Sequence, residues 1–332
     1  MTGVCTAQDD AAGKVRTERL VVDSHAIAGN LEGNAAERDV IVYLPPSYDA
    51  EPERRFPVVY ALHGYSIDND IWTNEIDTPA GIEDAFANGT AQMIVVLPDS
   101  RTRHNGSMYS SSVTVGDWES FIADELVEKI DATYRTLAAR ESRGLAGHSM
   151  GGYGTIRIGM KRPDVFGALY SMSPCCLSAR AQPPADLLER LEGVRTEKDA
   201  AALGFFERAT LASAAAWSPD PNAPPFYLRL PVGENRTEVL ARWAANAPIA
   251  MVDQYVPELR SYSAIAIDVG DKDGLRADAE ILARDLQHRN IPATYEVYEG
   301  DHVSGVADRF ERHVLPFFAR HLVADAETAA VD

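Results

Sequence analysis

The sequence predicts an α/β fold: a mostly parallel central sheet, helices on both faces, and an inserted region over one edge. Three observations carry this expectation. Pro57–Leu62 and Ala91–Leu97 are continuous apolar runs, the pattern of strands covered on both sides. Such runs alternate with helical periodicity along most of the chain. Gly144–Gly154 reads Gly-Leu-Ala-Gly-His-Ser-Met-Gly-Gly-Tyr-Gly, a strand entering a tight turn from which a helix departs. With 332 residues, 45% of them apolar, the chain can bury one large core or two small ones.

In order, residues 1–15 are small and polar and read as a flexible tail. Arg16–Asp23 and Arg38–Leu44 read as opening antiparallel strands, the second ended by Pro45-Pro46. Pro57–Leu62 leads into His63-Gly64. Asp68–Asp77 with Trp72 reads as a loop and Gly81–Ala87 as a short helix. Asp117 precedes Trp118, Phe121, Ile122, Leu126 and Ile130 at helical spacing and can cap that helix. Arg143–Ala146 is a short strand. Tyr153, Ile156 and Met160 continue as a helix stopped by Pro163, and Gly167–Met172 is the next strand.

From about 177 to 261 the alternation breaks. Helical pieces (Asp186–Leu191, Glu197–Ala212, Thr237–Trp243) and the proline-rich Ser218–Pro225 are too much for a plain connection. This stretch reads as a cap inserted over the sheet's carboxyl edge, where it could shape the substrate pocket, with a core of their own the expected place of most of its aromatics Phe205, Trp217, Tyr227 and Trp243. Ser263–Val269 is a strand, Leu275–Leu286 a helix, Thr294–Tyr298 the last strand, and a final helix runs through His321. The simplest organisation is a single domain over 16–325 carrying the cap, with a short tail at 326–332.

Fifty acidic and 31 basic residues leave a net charge of −19. That surface repels phosphate backbones and anionic lipid, disfavouring nucleic-acid and membrane partners. No apolar run approaches the ~18 residues of a membrane-spanning helix. Three cysteines are too few for a disulfide framework; Cys175 and Cys176 are adjacent and read as free thiols, a strained vicinal bridge being the alternative, and Cys5 lies in the polar tail. No metal-ligand spacing occurs, and no metal or cofactor is expected.

Gly147-His148-Ser149-Met150-Gly151 fits G-x-S-x-G, the nucleophile elbow of α/β-hydrolases, with strand before and helix after. A serine nucleophile needs a base, and the base an acid to orient it. In this fold both follow in loops at strand ends, acid before histidine. Of eight histidines, His302 alone follows the last strand in a glycine-containing loop. For the acid, Asp273 and Asp271 compete after the penultimate strand; Asp273, farther along the loop, is favoured. Asp268 reads as structural. The oxyanion needs two backbone donors, expected at Met150, next to the nucleophile, and at Tyr65, after the first buried strand.

Val42-Tyr43-Leu44-Pro45-Pro46, Leu62-His63-Gly64-Tyr65, Asp117-Trp118-Glu119-Ser120-Phe121-Ile122, Tyr134-Arg135-Thr136 and Gly147–Gly154 resemble the esterase D (putative esterase) family. That family includes feruloyl and acetyl-xylan esterases, S-formylglutathione hydrolases and mycolyl transferases. The resemblance spans roughly 38–174 and 264–322. It implies the α/β-hydrolase fold, with Ser149, Asp273 and His302 as catalytic triad and Tyr65 and Met150 as oxyanion donors.

The expected function is a serine carboxylic-ester hydrolase acting through an acyl-enzyme, on a small-molecule or carbohydrate-linked ester of feruloyl type. Alternatives are an acyltransferase, an S-formylglutathione-type thioesterase, and, in another class, a non-catalytic binding protein on the same fold. The exported esterases that the chain resembles favour a periplasmic or extracellular location, although no leader is visible at Met1–Gly13. Oligomeric state is open.

Overall fold

The computed structural model describes residues 13–179 and 182–324. The tails expected at 1–15 and 326–332 fall outside these residues, as does Cys5, except for 13–15. There Lys14 Nζ and the Val15 N–H both bind the Glu83 carboxylate, at 2.8 and 3.0 Å.

Eight strands form the main sheet: β1 (Arg16–Asp23), β2 (Glu37–Leu44), β3 (Val58–Leu62), β4 (Ile94–Pro98), β7 (Arg143–His148), β8 (Ala168–Met172), β9 (Ala264–Gly270) and β10 (Ala293–Tyr298). The short β5 (Ser111–Ser112) and β6 (Gly116–Asp117) make a separate antiparallel ladder. The order is β1-β2-β4-β3-β7-β8-β9-β10. β2 is antiparallel to both neighbours, and the strands from β4 through β10 run parallel.

The continuous apolarity of β3 has a direct cause. Val58, Tyr60 and Leu62 enter the core on one face, and Val59 and Ala61 enter the core on the other. Phe121, Ile122, Leu126 and Ile130 cover the first face, with Ile156 and Met160 of helix Met150–Lys161 and Leu282 and Leu286 of helix Arg276–His288. Ile82 and Ala85 of helix Thr78–Ala87, with Phe310, Val314 and Phe318, cover the second. Asp117 does cap its helix, accepting the Ser120 N–H at 3.1 Å. Among the described residues no helix is long and apolar enough to cross a membrane.

Two local expectations differ from the structure. Most of Asp68–Asp77 is helical, over Asn69–Glu75, capped by the Asp68 carboxylate at the Ile71 N–H (2.8 Å). Trp72 anchors it in the second core, edge-on to Phe310. A seven-residue helix held by its cap and by tertiary contacts such as Trp72–Phe310 and Thr73–Tyr43 has too little periodicity to show locally. Glu197–Ala212 is two helices, Glu197–Ala201 and Phe205–Trp217, parted where Gly204 turns extended.

The segment between β8 and β9 has its own small core of Leu187, Leu191, Ala200, Leu211 and Phe226. None of Phe205, Trp217, Tyr227 and Trp243 belongs to it. The ends of helix Phe205–Trp217 reach back to the body of the protein instead. Phe205 meets the Tyr65 ring at 5.1 Å, and Trp217 meets Tyr153 at 5.7 Å and Trp243 at 5.9 Å.

Under the carboxyl ends of the last strands lies a buried charge network. Arg309 donates through Nε to Asp268 Oδ2 (2.7 Å) and through both terminal nitrogens to Glu296 (2.9 and 2.7 Å). Tyr170 O–H donates to the same Asp268 oxygen at 2.8 Å. The network ties β8, β9 and β10 to the last helical segment, and it accounts for Asp268 as a structural residue. Removing one partner of a buried pair leaves an uncompensated charge, at a cost of about 3–5 kcal/mol. Arg309→Met should therefore lower the urea unfolding free energy by about that amount. A loss below about 1 kcal/mol would show that the network contributes little.

Candidate active site

β7 ends at His148 and helix Met150–Lys161 begins one residue later, so the whole reversal falls on Ser149. Its backbone takes φ 57°, ψ −112°, a strained conformation for a residue with a side chain. Close backbone contact imposes it. A Cβ on Gly151 would lie 1.9 Å from the Leu62 carbonyl oxygen, and one on Gly147 would lie 2.3 Å from the Gly151 carbonyl. Only glycine fits either place. Both backbone groups of Ser149 are bound: its N–H donates to C=O of Met172, the last residue of β8 (3.0 Å), and its C=O accepts from the Cys175 N–H (3.1 Å) and the Tyr153 N–H (3.0 Å).

The parallel register brings the ends of β7, β9 and β10 side by side, with Met172 of β8 bridging His148 and Asp268. The loops beyond them bring Ser149, Asp273 and His302 together. His302 Nδ1 lies 2.8 Å from Asp273 Oδ2, and Nε2 lies 2.9 Å from Ser149 Oγ. A carboxylate only accepts, so Nδ1 carries the proton and Nε2 is free to accept from the hydroxyl. Asp273 is almost completely buried. Burial works to raise its carboxyl, but the hydrogen bonds from His302 and the Leu275 N–H (2.8 Å) outweigh this and hold it below the ordinary aspartate value.

Asp271 has a different position. Its Oδ1 accepts the Gly300 N–H at 2.9 Å, while the Lys272 N–H binds Gly300 C=O at 2.9 Å, so this residue clamps the loop that carries His302. Asp301 folds back on the Val303 and Ser304 N–H groups, both at 2.9 Å. His148 donates from Nε2 to the His302 carbonyl at 2.8 Å, with the two rings 4.8 Å apart. Burial, with help from the neighbouring His302, pushes His148 down to about 4.

On the opposite side stands the His63-Gly64-Tyr65 turn. A Cβ on Gly64 would be 3.5 Å from the Ser149 Cβ. His63 braces this turn: Nε2 accepts the Ser100 N–H at 2.8 Å, which leaves Nδ1–H to donate to Gly64 C=O at 2.8 Å. The Tyr65 hydroxyl donates to His104 C=O at 2.8 Å. Among the described residues the Tyr65 N–H has no backbone acceptor. Met150 opens its helix, where N–H groups have no intrahelical acceptor. The Met150 amide thus adjoins Ser149 in the chain, and the Tyr65 amide belongs to the turn whose Gly64 packs on Ser149.

Ser149 and His302 open into a cavity of about 490 Å³, walled by Tyr65, Ile67, Trp72, Ile76, Phe205 and Val303. Phe205 thus lies in the wall that the cap was one candidate to shape, whereas Trp72 as a wall residue and the bracing role of His63 carry no sequence signal of their own. The Asp68 cap was the one local signal that could have placed Trp72 on a helix. Among the described residues, no three His, Cys, Asp or Glu side chains gather as a metal ion would require.

A sequence profile of the putative esterase family matches residues 34–311. An esterase of Mycobacterium tuberculosis is 35% identical over 137 residues, 40% of this chain and 28% of that protein. The endo-1,4-beta-xylanase/feruloyl esterase of Xylanibacter ruminicola is 31% identical over 130 residues, 38% of this chain and 18% of that protein. The chain thus matches less than a third of the length of either relative. A solved ferulic acid esterase superposes with a TM-score of 0.69 over 93% of this chain and 98% of its own, at 22% identity. An S-formylglutathione hydrolase from Staphylococcus aureus gives 0.62 over 92% and 99%, at 18% identity. The fold is that of the α/β-hydrolases.

Between pH 4 and about 6.5 the folded His148 stays neutral while its unfolded counterpart takes up a proton. The unfolded chain binds more protons in that window, so stability rises with pH there and is lost on acidification, by up to about 1.4 kcal/mol per pH unit. Urea titrations across the window should show a steeper pH dependence for the wild type than for His148→Gln. Equal slopes would mean that His148 is not held neutral.

Proposed function

The chain belongs to the putative esterase family, and from that premise we propose that it is a serine carboxylic-ester hydrolase working through an acyl-enzyme. One observation carries the reading: a single imidazole, His302, is hydrogen-bonded on one side to Ser149 and on the other to Asp273. In this reading His302 Nε2 takes the hydroxyl proton as Ser149 Oγ attacks the ester carbonyl. Asp273 holds the ring in the required tautomer and stabilises the imidazolium. The Tyr65 and Met150 N–H groups receive the negative charge that develops on the carbonyl oxygen; such a donor is worth about 10²–10³ in rate. His302 then returns the proton to the departing alcohol, and water repeats the sequence on the acyl-enzyme.

For the substrate we favour an aromatic acyl or carbohydrate-linked ester of feruloyl type. The aromatic and aliphatic wall of the Ser149 cavity suits a flat apolar acyl group. The names of the Xylanibacter relative and of the ferulic acid esterase structure point the same way. Comparing hydrolysis of methyl ferulate, acetylated xylan, S-formylglutathione and aliphatic esters tests this choice. Preference for S-formylglutathione would overturn it.

Ser149→Ala should reduce p-nitrophenyl acetate turnover to background, a loss of about 10⁶-fold in kcat. Asp273→Asn should cost about 10⁴-fold, through the wrong histidine tautomer. Asp271→Asn, which loosens a loop, should cost far less. Undiminished turnover in Ser149→Ala, or a larger loss at Asp271 than at Asp273, would sink the assignment.

A further inference from the structure

Cys175 and Cys176 follow β8 directly and take no part in the reaction proposed above. Their Sγ atoms are 2.7 Å apart, close to the ~2.05 Å of a disulfide bond, yet both cysteines are free. Cys176 lines a second cavity, of about 600 Å³, beside Trp217 and Trp243, so a small solute can reach it. The loop is already constrained: Ser173 and Cys176 have φ of 41° and 60°. It also donates the Cys175 N–H to the Ser149 C=O at 3.1 Å, next to Met172, the end of β8, whose C=O accepts the Ser149 N–H.

We propose that Cys175–Cys176 is an oxidative modification site: a peroxide converts it to a vicinal disulfide that displaces the backbone of Ser149 and lowers turnover. In the first step the Cys176 sulfur attacks a peroxide oxygen, the O–O bond breaks, and Cys176 sulfenic acid forms with release of water. The Cys175 sulfur then attacks the sulfenic sulfur, forming the S–S bond and releasing the oxygen as a second water. In sum, two thiols and one hydrogen peroxide give one disulfide and two waters.

The order of attack follows from the surroundings. The neighbouring sulfur and burial hold the Cys175 thiol protonated well above the ordinary cysteine range, whereas Cys176 faces the cavity. Adjacent Cα atoms are ~3.8 Å apart, below the usual disulfide span. Closing the ring therefore requires the intervening peptide to rotate. The Cys175 Cα is shared with the preceding peptide, so closing the ring also shifts the Cys175 N–H, one of two donors, with the Tyr153 N–H (3.0 Å), to the Ser149 carbonyl. A displacement near 1 Å at a reacting group costs about a hundredfold in rate.

The reduced enzyme, treated with a small excess of hydrogen peroxide, tests the proposal by two readouts. Mass spectrometry should find the Cys175–Cys176 peptide lighter by two hydrogens. Turnover of p-nitrophenyl acetate should fall about ten- to a hundredfold in kcat and return on reduction with dithiothreitol. Cys176→Ser and Cys176→Ala should retain activity and lose the reversible inhibition, and Cys5→Ser should keep it. An unchanged peptide mass, a bridge that leaves turnover intact, or equal inhibition in both Cys176 variants would overturn the proposal. The activity arm rests on the esterase reading and the mass arm does not, so a bridge formed in a protein without esterase activity would refute that reading separately.

Discussion

The passage of helix Met150–Lys161 against the end of β3 governs the rest of the site. With the Gly151 Cα so near the Leu62 carbonyl that a single added carbon would overlap it, the chain has no room for a gradual turn. The reversal is compressed into Ser149, whose left-handed backbone lifts its hydroxyl clear of the sheet. Strain of this kind persists only where the surroundings over-determine it. Here they do: β7 pairs with β3 and β8, and the end of β8 with the loop after it hydrogen-bonds both backbone groups of Ser149.

Given that fixed hydroxyl, the partners are delivered by parallel register. Each lies in a loop just beyond a strand's carboxyl end, and each loop is stiffened from within. Asp271 clamps Gly300, Asp301 folds onto Val303 and Ser304, and His148 holds the His302 carbonyl. Beneath them the Arg309–Asp268–Glu296 network keeps β9, β10 and the final helical segment in register. Charge is arranged to the same end. Asp273 is held below the ordinary aspartate value by its hydrogen bonds, and His148 is kept neutral by burial, its Nε2–H spent on the His302 carbonyl.

The walls of the site come from elsewhere in the chain. Trp72 arrives on a seven-residue helix packed on Phe310, and Phe205 on the first turn of a helix between β8 and β9. Phe205 also touches Tyr65, whose amide is a proposed oxyanion donor. The cavity wall and the turn proposed to stabilise charge are thus in direct contact. Changes in the segment between β8 and β9 can alter rate as well as specificity.

How much of this was legible in the sequence depends on how local each cause is. Buried parallel strands announce themselves by continuous apolarity, because both faces of the sheet are covered. Gly147, Ser149 and Gly151 sit within five residues, so the elbow is readable as a motif. Loop order after the last strands singles out His302 and narrows the acid to Asp271 or Asp273. Local reasoning ended there. The choice between those two aspartates rests on which loop oxygen faces the imidazole and which faces the Gly300 amide. The helix at Asn69–Glu75, the outward reach of Phe205 and Trp217, and the bracing of Gly64 by His63 all depend on partners distant in sequence. The sequence by itself determined the sheet, the elbow and the chemistry available at it, because those follow from neighbouring residues. The tertiary structure alone decided which carboxylate meets His302 and what walls the cavity, because both depend on contacts between segments far apart in the chain.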